Sequence, residues 1–395
     1  MGLIDLKYRL IFFLKSGGCA FGKLVSFGEL SQNDSDIDVL YCKNTRLFYC
    51  APMYSGMETT PRMSEGLEYT QYALHLKNAS LLGDSSLIAL AGNRVLYDLP
   101  FYDDFHRYDY SSDFKVKKIR GKKVIYLRGK KNKIDKAIWM GGNFSWNYYH
   151  LLYEFIIKFC FLNQMDIPLY IPVLIDEACY RIPQFRNLVE MANVKGYEIV
   201  TVGRFDRYDA KEIYYINCPN FIAPNNARHV VGSSADIQFD LKALAQLRDF
   251  LLPHASQRIF PKRIFISRKN ASGRRVFNEE EVIHVFTEFG FEVVRPEELS
   301  VTDQINLFNQ AEWIAGGAGA AFTNLLFCSK GCDVLLFASC HSAFSGFSTI
   351  ASAFDINLRY ITEEDTHPGI QVVNIHSAFK IDIPYLRNYL QECGL

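Results

Sequence analysis

The stretch that decides the fold is Trp313-Ile-Ala-Gly-Gly-Ala-Gly-Ala-Ala-Phe-Thr-Asn-Leu-Leu-Phe327. Its first residues, 313–315, are typical of a short buried strand, and residues 316–319 indicate a tight turn because three of the four are glycine. Residues 320–327 then indicate the start of a helix. A strand that passes through a glycine turn into a helix is typical of a parallel sheet with helices on its faces.

The same alternation extends in both directions along the chain. Strands are predicted at 137–140, 170–175, 198–202, 212–216, 263–267, 291–295, 333–337 and 357–361. Helices are predicted at 147–164, 240–252, 278–290, 300–308 and 382–393, with Asn278 as the cap of the third and Ser300, followed by Asp303, at the start of the fourth. This pattern predicts an α/β protein with two Rossmann-like domains, each built on a parallel, doubly wound sheet.

The length of 395 residues fits two domains of ordinary size. Residues 1–110 carry short apolar runs among many polar residues and are expected to form an irregular, β-rich region. The first Rossmann-like domain is expected at 111–254 and the second at 255–375, followed by a C-terminal helix at 376–395.

Composition excludes several classes of protein. Hydrophobic residues make up 49% of the chain, which excludes global disorder, and 43 basic residues balance 43 acidic ones, which gives no reason to expect a nucleic-acid partner. The sequence contains no 20-residue apolar span and no signal-peptide core. Ten cysteines lie scattered without the spacing of a zinc site, so we expect buried free thiols, a reduced cytoplasmic setting and no metal.

A basic run lies between Lys115 and Lys136, with eleven lysines or arginines and one acid, Asp135. One interpretation is a solvated pair of strands with charged edges. The other is a patch that holds an anionic lipid or an acidic glycan, and this would give the protein peripheral contact with the inner membrane.

The glycine turn at 316–319 has two interpretations. It could serve only to connect a strand to a helix, or it could hold a phosphate, because glycines admit a ligand to the backbone and a helix start offers free N–H groups. As a dinucleotide fingerprint it fails, since Phe322 stands where the third glycine belongs. A nicotinamide-dependent oxidoreductase is therefore disfavoured.

Cationic residues cluster around another predicted strand. The sequence Arg263-Ile-Phe-Ile-Ser267-Arg268-Lys269, followed by Arg274 and Arg275, contains five cations within thirteen residues. Open α/β sheets bind ligands at the carboxyl ends of their strands, and arginine matches the geometry of a phosphate. The cluster therefore indicates a diphosphate site, although solvated surface cations are the simpler alternative.

A third candidate lies at the start of the helix predicted from Asn147. His150 and Glu154 are four residues apart and share one helix face. One of them could act as a general base while the other orients it. The alternative is a surface pair that continues to Lys158.

Taken together, these motifs resemble glycosyltransferase family 61, in a bacterial member of the capsule or lipopolysaccharide type. The resemblance rests on Asn147-Tyr-Tyr-His150 with Glu154, Arg263-Ile-Phe-Ile-Ser-Arg268, Arg275, Asn278-Glu279, Phe291-Glu-Val-Val-Arg-Pro-Glu-Glu-Leu-Ser300, Gln304, Phe308, Ala311-Glu312 and Gly316-Gly-Ala-Gly-Ala-Ala-Phe-Thr-Asn324-Leu-Leu-Phe. It covers residues 140 to 340 and is more specific in its second half.

The resemblance implies two Rossmann domains of the GT-B type and inverting chemistry that needs no metal or other cofactor. The first domain would hold a glycan or lipid-linked glycan acceptor, and the second a nucleotide-sugar donor. His150 or Glu154 would be the base, Asn147 and Tyr148 would contact the acceptor, and Glu298 would meet the ribose. The implied donor-binding set is Arg263, Ser267, Arg268, Lys269, Arg275, Glu298, Gly317, Ala318, Gly319, Ala320, Thr323 and Asn324.

One position departs from the family. A histidine usually stands where this chain has Ala318. Its absence leaves a second function open: a catalytically impaired protein that binds a nucleotide sugar or a glycan.

Overall fold

The computed structural model describes residues 17–30, 34–97, 115–223, 233–269, 276–366 and 377–395. The chain divides into two compact units. Unit 1 consists of Met1–Leu47 and Leu67–Val230, and unit 2 consists of Phe48–Gly66 and Val231–Leu395. Each unit therefore contains two separate stretches of the chain. The sequence predicts domain boundaries at residues 110, 254 and 375. It does not predict that the short segment 48–66 belongs to the same unit as residues 231–395.

Unit 1 is built on one sheet of eleven strands in the order β10-β9-β8-β11-β3-β4-β5-β1-β7-β6, with β2 paired to β3. Its strands are β1 (Cys19–Val25), β2 (Ile37–Tyr49), β3 (Ser64–Leu82), β4 (Leu87–Leu90), β5 (Arg94–Tyr97), β6 (Val116–Arg120), β7 (Lys123–Leu127), β8 (Lys130–Trp139), β9 (Val173–Asp176), β10 (Ile199–Val202) and β11 (Asp206–Ile216). A further short strand of this unit is β12 (Phe221–Ile222).

One end of this sheet is parallel. Strand β8 pairs in parallel with β9 and with β11, and β9 pairs in parallel with β10. Numbered along the chain, these four strands stand in the order 3-2-1-4, so the order reverses between β8 and β11. In open α/β sheets such a reversal opens a crevice at the carboxyl ends of the two strands.

The rest of the sheet comes from the N-terminal residues. Strand β3 is 19 residues long and pairs antiparallel with β11, from Leu82 opposite Arg207 to Ala73 opposite Ile216. Unit 1 is therefore not the purely parallel, doubly wound domain that the sequence pattern predicts. The strands of residues 19–97 join the same sheet instead of forming a separate region, and most of them pair antiparallel.

Unit 2 contains the parallel sheet that the sequence predicts. Its strands are β13 (Ile237–Gln238), β14 (Arg263–Ile266), β15 (Glu292–Val294), β16 (Trp313–Gly317), β17 (Asp333–Ala338) and β18 (Asn357–Thr362). The last five form a sheet in the order β15-β14-β16-β17-β18, and every pairing in it is parallel. Counted along the chain this order is 2-1-3-4-5, which reverses between β14 and β16.

Helices connect these strands. The α-helices are Tyr148–His150, Ile157–Leu162, Glu177–Tyr180, Pro183–Ala192, Leu241–Leu251, Glu279–Glu288, Val301–Gln310, Gly346–Ala353, Glu363–Thr366 and Ile383–Glu392, and Leu151–Ile156 is a π-helix. The 3₁₀ segments are Phe27–Glu29, Ala91–Asn93, Ser234–Asp236, Leu252–His254, Pro296–Glu298 and Ala320–Phe327.

The two predicted helix starts of unit 2 differ in outcome. Ser300 caps its helix as predicted, since its side chain accepts from the Asp303 N–H at 3.1 Å. Asn278 also stands at the N-cap position as predicted, but its side chain makes no capping hydrogen bond. The amide of Asn278 instead exchanges two hydrogen bonds with the backbone of Ile381, at 2.9 and 3.0 Å, and so holds the segment that precedes the last helix.

The basic run forms β6, β7 and most of β8, in agreement with a pair of strands with charged edges. Two of its lysines pair with acids of the neighbouring strand β11, with Lys131 2.9 Å from Asp209 and Lys136 3.0 Å from Glu212. Within the described ranges no helix has the length and apolar character needed to cross a membrane.

Candidate active site

In unit 2, Arg268 meets the glycine turn Gly316–Gly319. Arg268 follows the carboxyl end of β14. The glycine turn forms the carboxyl end of the neighbouring strand β16, which extends through Gly317. The Nη1 of Arg268 donates to the Ala318 carbonyl oxygen at 2.6 Å. These residues lie at the reversal of strand order, where open parallel sheets bind ligands.

The glycines of this turn are needed for close approach. A Cβ on Gly316 would lie 2.6 Å from the Ile266 carbonyl oxygen of β14. On Gly317 it would lie 2.8 Å from the Arg268 side chain and 2.9 Å from the Phe277 ring, and on Gly319 it would collide with the Arg268 guanidinium. Glycine therefore lets the arginine lie directly against the backbone of the turn.

The backbone of Arg268 is fixed as well. Its N–H donates to the Glu279 carboxylate at 2.5 Å, and Glu279 begins the helix Glu279–Glu288. Burial lowers the pKa of the Arg268 guanidinium, but an arginine stays charged at any physiological pH. The site therefore holds a half-buried cation in one orientation.

The other expected donor residues at this edge have varied surroundings. Ser267 is buried, and its hydroxyl accepts from the Lys269 N–H at 3.2 Å, so it shapes the turn. The Lys269 side chain is exposed. Glu298 lies on the short 3₁₀ segment after β15 and is 3.5 Å from Arg295. Ala320 begins the 3₁₀ segment after the glycine turn and is half-buried.

Three expected donor residues are not brought to this edge. Arg263 lies at the amino end of β14, and its Nη1 donates to the Phe289 carbonyl oxygen at 2.9 Å, so it cannot share a ligand with Arg268 at the carboxyl end. Thr323 and Asn324 are fully buried, and Asn324 donates to Gln304 at 3.1 Å. Their segment is a 3₁₀ turn that points these side chains into the interior. Arg275 lies outside the described residues.

A histidine that the sequence did not indicate stands at the same edge of the sheet. His341 follows β17, and its Nε2 is 2.8 Å from Asp365, which follows β18. The ring of Tyr54 stacks on the imidazole, with centroids 4.0 Å apart. Tyr54 comes from the segment 48–66, and a contact across almost 290 residues gives no local signal in the sequence.

In unit 1, the candidate base lies on the helical segment Tyr148–Leu162, which we call the site helix. Asn147 caps it, since its side-chain oxygen accepts from the Tyr149 N–H at 3.0 Å. Tyr148 stacks on Phe185 with ring centroids 5.7 Å apart. The helix changes from α to π at Leu151–Ile156, and such π segments occur often at functional sites.

His150 and Glu154 are hydrogen-bonded to each other, as their spacing predicts. The bond joins the His150 Nδ1 to the Glu154 Oε1. Because an ionised carboxylate only accepts, this bond places the hydrogen of the neutral imidazole on Nδ1 and leaves the Nε2 lone pair available. Both side chains are about one-fifth exposed. The pair can therefore take up a proton through Nε2, with Glu154 stabilising the cation that forms.

Aromatic side chains surround His150. Phe144 adopts a left-handed backbone conformation, with φ +64°, in the loop before the site helix. Its ring lies 5.0 Å from the His150 imidazole and 5.8 Å from the ring of Trp146, which is half exposed. Strained backbone of this kind is common at ligand sites. This surface was not predicted from the sequence, although Trp146 beside the asparagine cap was a visible signal.

A buried carboxylate holds the loop in place. Asp176 ends β9 and is fully buried, and its two oxygens accept from the N–H groups of Gly142 at 2.7 Å and Asp84 at 2.6 Å. Burial, together with the charge of Asp84, raises the pKa of Asp176 to about 7. This role of Asp176 was not predicted from the sequence, although an acid directly after Val173-Leu-Ile was the available signal.

A small cavity of about 30 Å³ lies at the strand reversal of unit 1. It is lined by Ser86, Trp139, Gly141, Glu154, Phe155, Lys158, Tyr215, Cys218, Asn220 and Ile222. Trp139 and Gly141 come from the end of β8, and Tyr215 and Cys218 from the end of β11. The cavity therefore occupies the crevice that the strand order creates, and Glu154 belongs to its wall.

Within the described ranges, no group of three or more histidine, cysteine or acidic side chains is placed to hold a metal ion. All ten cysteines are free thiols and most are buried. Burial raises the pKa of Cys160 to about 11, as for an unreactive thiol.

Comparison with known proteins adds one finding. Residues 148–335 match the model of the family described as Glycosyltransferase 61. The matched stretch contains the site helix, Arg268 and the glycine turn. No curated protein gives a significant match to the chain. Residues 148–335 are therefore a glycosyltransferase family 61 domain, and this domain identifies the chain as an enzyme of the glycosyltransferase class.

Proposed function

We propose that the chain is an inverting glycosyltransferase that moves a sugar from a nucleotide-sugar donor to a hydroxyl group of a glycan. The observation that carries the proposal is the contact of Arg268 with the glycine turn at the strand reversal of unit 2. It provides a fixed cation at the place where open parallel sheets bind ligands, and such a cation suits a diphosphate.

The donor would bind with its diphosphate against Arg268. As the bond between the sugar carbon and the diphosphate oxygen breaks, negative charge grows on the leaving group. A cation that is already oriented stabilises this charge without reorganising, and such stabilisation contributes several kcal/mol in comparable sites. We propose that Arg268 makes this contribution without a metal ion, and that Glu298 meets the ribose.

The acceptor would bind at the site helix of unit 1. Its hydroxyl oxygen attacks the sugar carbon from the face opposite the diphosphate, so the configuration at that carbon inverts. The hydroxyl proton passes to the Nε2 of His150, and Glu154 stabilises the imidazolium through the existing hydrogen bond. Trp146 and Phe144 offer aromatic faces on which a sugar ring can stack.

The wider setting belongs to the same proposal. We propose a GT-B type enzyme of bacterial surface-glycan synthesis, of the capsule or lipopolysaccharide type, that works in the cytoplasm. The free thiols support a reduced compartment. The ion pairs of the basic run with β11 favour a solvated surface over a lipid contact.

Calorimetric titration with UDP, GDP and CMP tests the donor site. One nucleotide should bind, with unchanged affinity in the presence of EDTA, and Arg268→Ala should weaken its binding by a factor of about 100 or more. Arg263→Ala is the matched control, because this arginine lies at the other end of the same strand. Equal affinities of the wild type and Arg268→Ala would remove the diphosphate assignment.

Ala318 defines the second candidate, a binding protein without turnover. In the structure its backbone is engaged on both sides, with the N–H donating to Phe337 at 2.8 Å and the carbonyl accepting from Arg268. The nucleotide that binds should be tested as its sugar conjugates for transfer and for hydrolysis. Tight binding without either reaction, and recovery of turnover in Ala318→His, would establish the impaired protein.

A further inference from the structure

Lys158 is a buried cation next to the candidate base. It lies on the site helix one turn after Glu154 and is only 4% exposed. Its ammonium group lies 5.4 Å from the ring centres of Phe155 and Tyr215. Within the part of the chain that the structure describes, the Lys158 ammonium group makes no hydrogen bond and no ion pair. Buried lysines are normally paired, so this one costs stability unless something else supplies an acceptor.

The surroundings of Lys158 provide a place for that acceptor. Lys158 and Glu154 line the same cavity, with Glu154 more exposed than Lys158. The π segment Leu151–Ile156 changes the ordinary spacing of side chains along the helix. Glu154 bonds His150 instead of Lys158, and the cavity therefore has a carboxylate and an ammonium group in its wall that do not contact each other.

The size of the cavity limits what can enter. A volume of about 30 Å³ holds about two or three water molecules, since a single water requires about 10–15 Å³. A phosphate or a sugar ring is too large. A single hydroxyl group fits, and it has the right chemistry, because a hydroxyl can donate to the carboxylate and accept from the ammonium group at the same time.

We propose that this cavity is a subsite for one hydroxyl group of the acceptor sugar, held between Glu154 and Lys158. The subsite rests on the proposed function, since it assumes that a sugar acceptor binds at the site helix. The reacting hydroxyl lies at the Nε2 of His150, and the cavity receives a second hydroxyl of the same sugar. Lys158 is then a specificity-determining residue, because a sugar that lacks this hydroxyl leaves a buried ammonium group without an acceptor.

The first test is a high-resolution crystal structure of the full chain without ligand. We expect one ordered water in the cavity, within hydrogen-bond distance of both the Lys158 ammonium and the Glu154 carboxylate, as a stand-in for the sugar hydroxyl. A dry cavity, or a direct ion pair between the two side chains, would overturn the subsite.

The second test compares thermal unfolding of Lys158→Met and Lys195→Met. Replacing an unpaired buried ammonium group by an apolar side chain of similar length should leave the melting temperature unchanged or raise it. Lys195 is the control, because its ammonium group donates to the Met165 carbonyl oxygen at 2.5 Å, and its loss should lower the melting temperature. A fall of several degrees in Lys158→Met would show a structural role and contradict the proposal.

Two further measurements separate the subsite from the proposed function. Lys158→Met should bind the nucleotide of unit 2 as tightly as the wild type does. With an acceptor that supports transfer, its kcat/KM for that acceptor should fall at least about 10-fold, whereas the acceptor analogue without the hydroxyl should react equally with both proteins. If no acceptor supports transfer, the proposed function fails. The position of the water and the melting temperatures still test whether the cavity can hold a hydroxyl group between Glu154 and Lys158.

Discussion

The two units place different chemistry at equivalent positions of their sheets. In unit 2 the strand order reverses between β14 and β16, and the carboxyl ends there carry Arg268 and the glycine turn. In unit 1 the order reverses between β8 and β11, and the crevice there contains Glu154 and Lys158. The first arrangement suits a bound anion, and the second suits a group that exchanges protons or hydrogen bonds. The reversal creates the crevice, and the side chains that follow the strands decide what it holds.

The largest expected effect is on the proton transfer proposed for unit 1. His150→Ala should lower the rate of transfer about 10²- to 10⁴-fold, because the Nε2 acceptor is lost, while nucleotide affinity stays unchanged. His284→Ala is the matched control. His284 pairs with Glu288 at the same spacing, 3.1 Å apart, but on an exposed helix face of unit 2. Equal rates for wild type and His150→Ala would exclude His150 as the base.

The second prediction concerns the glycine turn of unit 2, where we propose that the diphosphate binds. Gly316→Ala places a methyl group 2.6 Å from the Ile266 carbonyl oxygen, so β14 and β16 must move apart. We expect the free energy of unfolding to fall by about 1–3 kcal/mol and nucleotide affinity to fall with it. Gly28→Ala, where the methyl group meets nothing within 4 Å, should change neither quantity. Urea unfolding and calorimetry measure the two effects.

A third prediction concerns the buried acid of unit 1. Asp176 releases its proton near pH 7 when folded and near its ordinary value of 3.8 when unfolded. Between these values the folded state binds the additional proton, so this group makes stability fall as pH rises from about 4 to 7. Asp176→Asn removes the titration and one N–H acceptor. The wild type should therefore exceed Asp176→Asn in stability by a larger margin at pH 5 than at pH 8.

Urea unfolding at several pH values measures this margin. The change across the range should be at least about 1 kcal/mol. The exposed acid Asp166 provides a control for the loss of one carboxylate, and Asp166→Asn is measured over the same pH values. A margin for Asp176→Asn that stays constant or grows with pH would contradict the raised pKa.

The smallest effect compares two helix caps. Asn147→Ala and Ser300→Ala each remove a side chain that accepts from a backbone N–H, and each should cost about 1 kcal/mol of stability. Only Asn147→Ala should also lower transfer, because Asn147 begins the helix that carries His150. Equal transfer rates for the two variants would show that the Asn147 cap does not influence the proposed active site.

The five-stranded sheet could be predicted from the sequence because its signals are local. Each strand there is a short apolar run followed by a helix with polar and apolar residues at regular spacing, as in residues 291–310. The approach of Arg268 to the glycine turn followed from the rule that parallel strands end at one edge. The location of Arg263 could have been predicted too, since it begins the strand that Arg268 follows.

The mixed sheet could not be predicted for the opposite reason. Strand β3 pairs with β11 across more than 120 residues, and the sequence of neither strand indicates which strand it pairs with. The same holds for Asp176, which acts on Gly142 from another strand, and for Tyr54 against His341. The His150–Glu154 bond could be predicted because both residues lie on one helix. The burial of Lys158 could not, because its ammonium group lies over the ring of Tyr215, which comes from the distant strand β11.

The segment 48–66 has a consequence for how the protein is made. Ser55 donates to the Tyr360 carbonyl oxygen and Tyr360 donates to the Met53 carbonyl oxygen, both at 2.8 Å, so this early segment covers the outer edge of β18. During synthesis these hydrogen bonds cannot form until residue 360 has left the ribosome. A fragment that begins at residue 231 would leave that edge open to other chains, and such a fragment is expected to aggregate. Separate production of unit 2 therefore requires a permuted gene in which residues 48–66 are joined to residues 231–395.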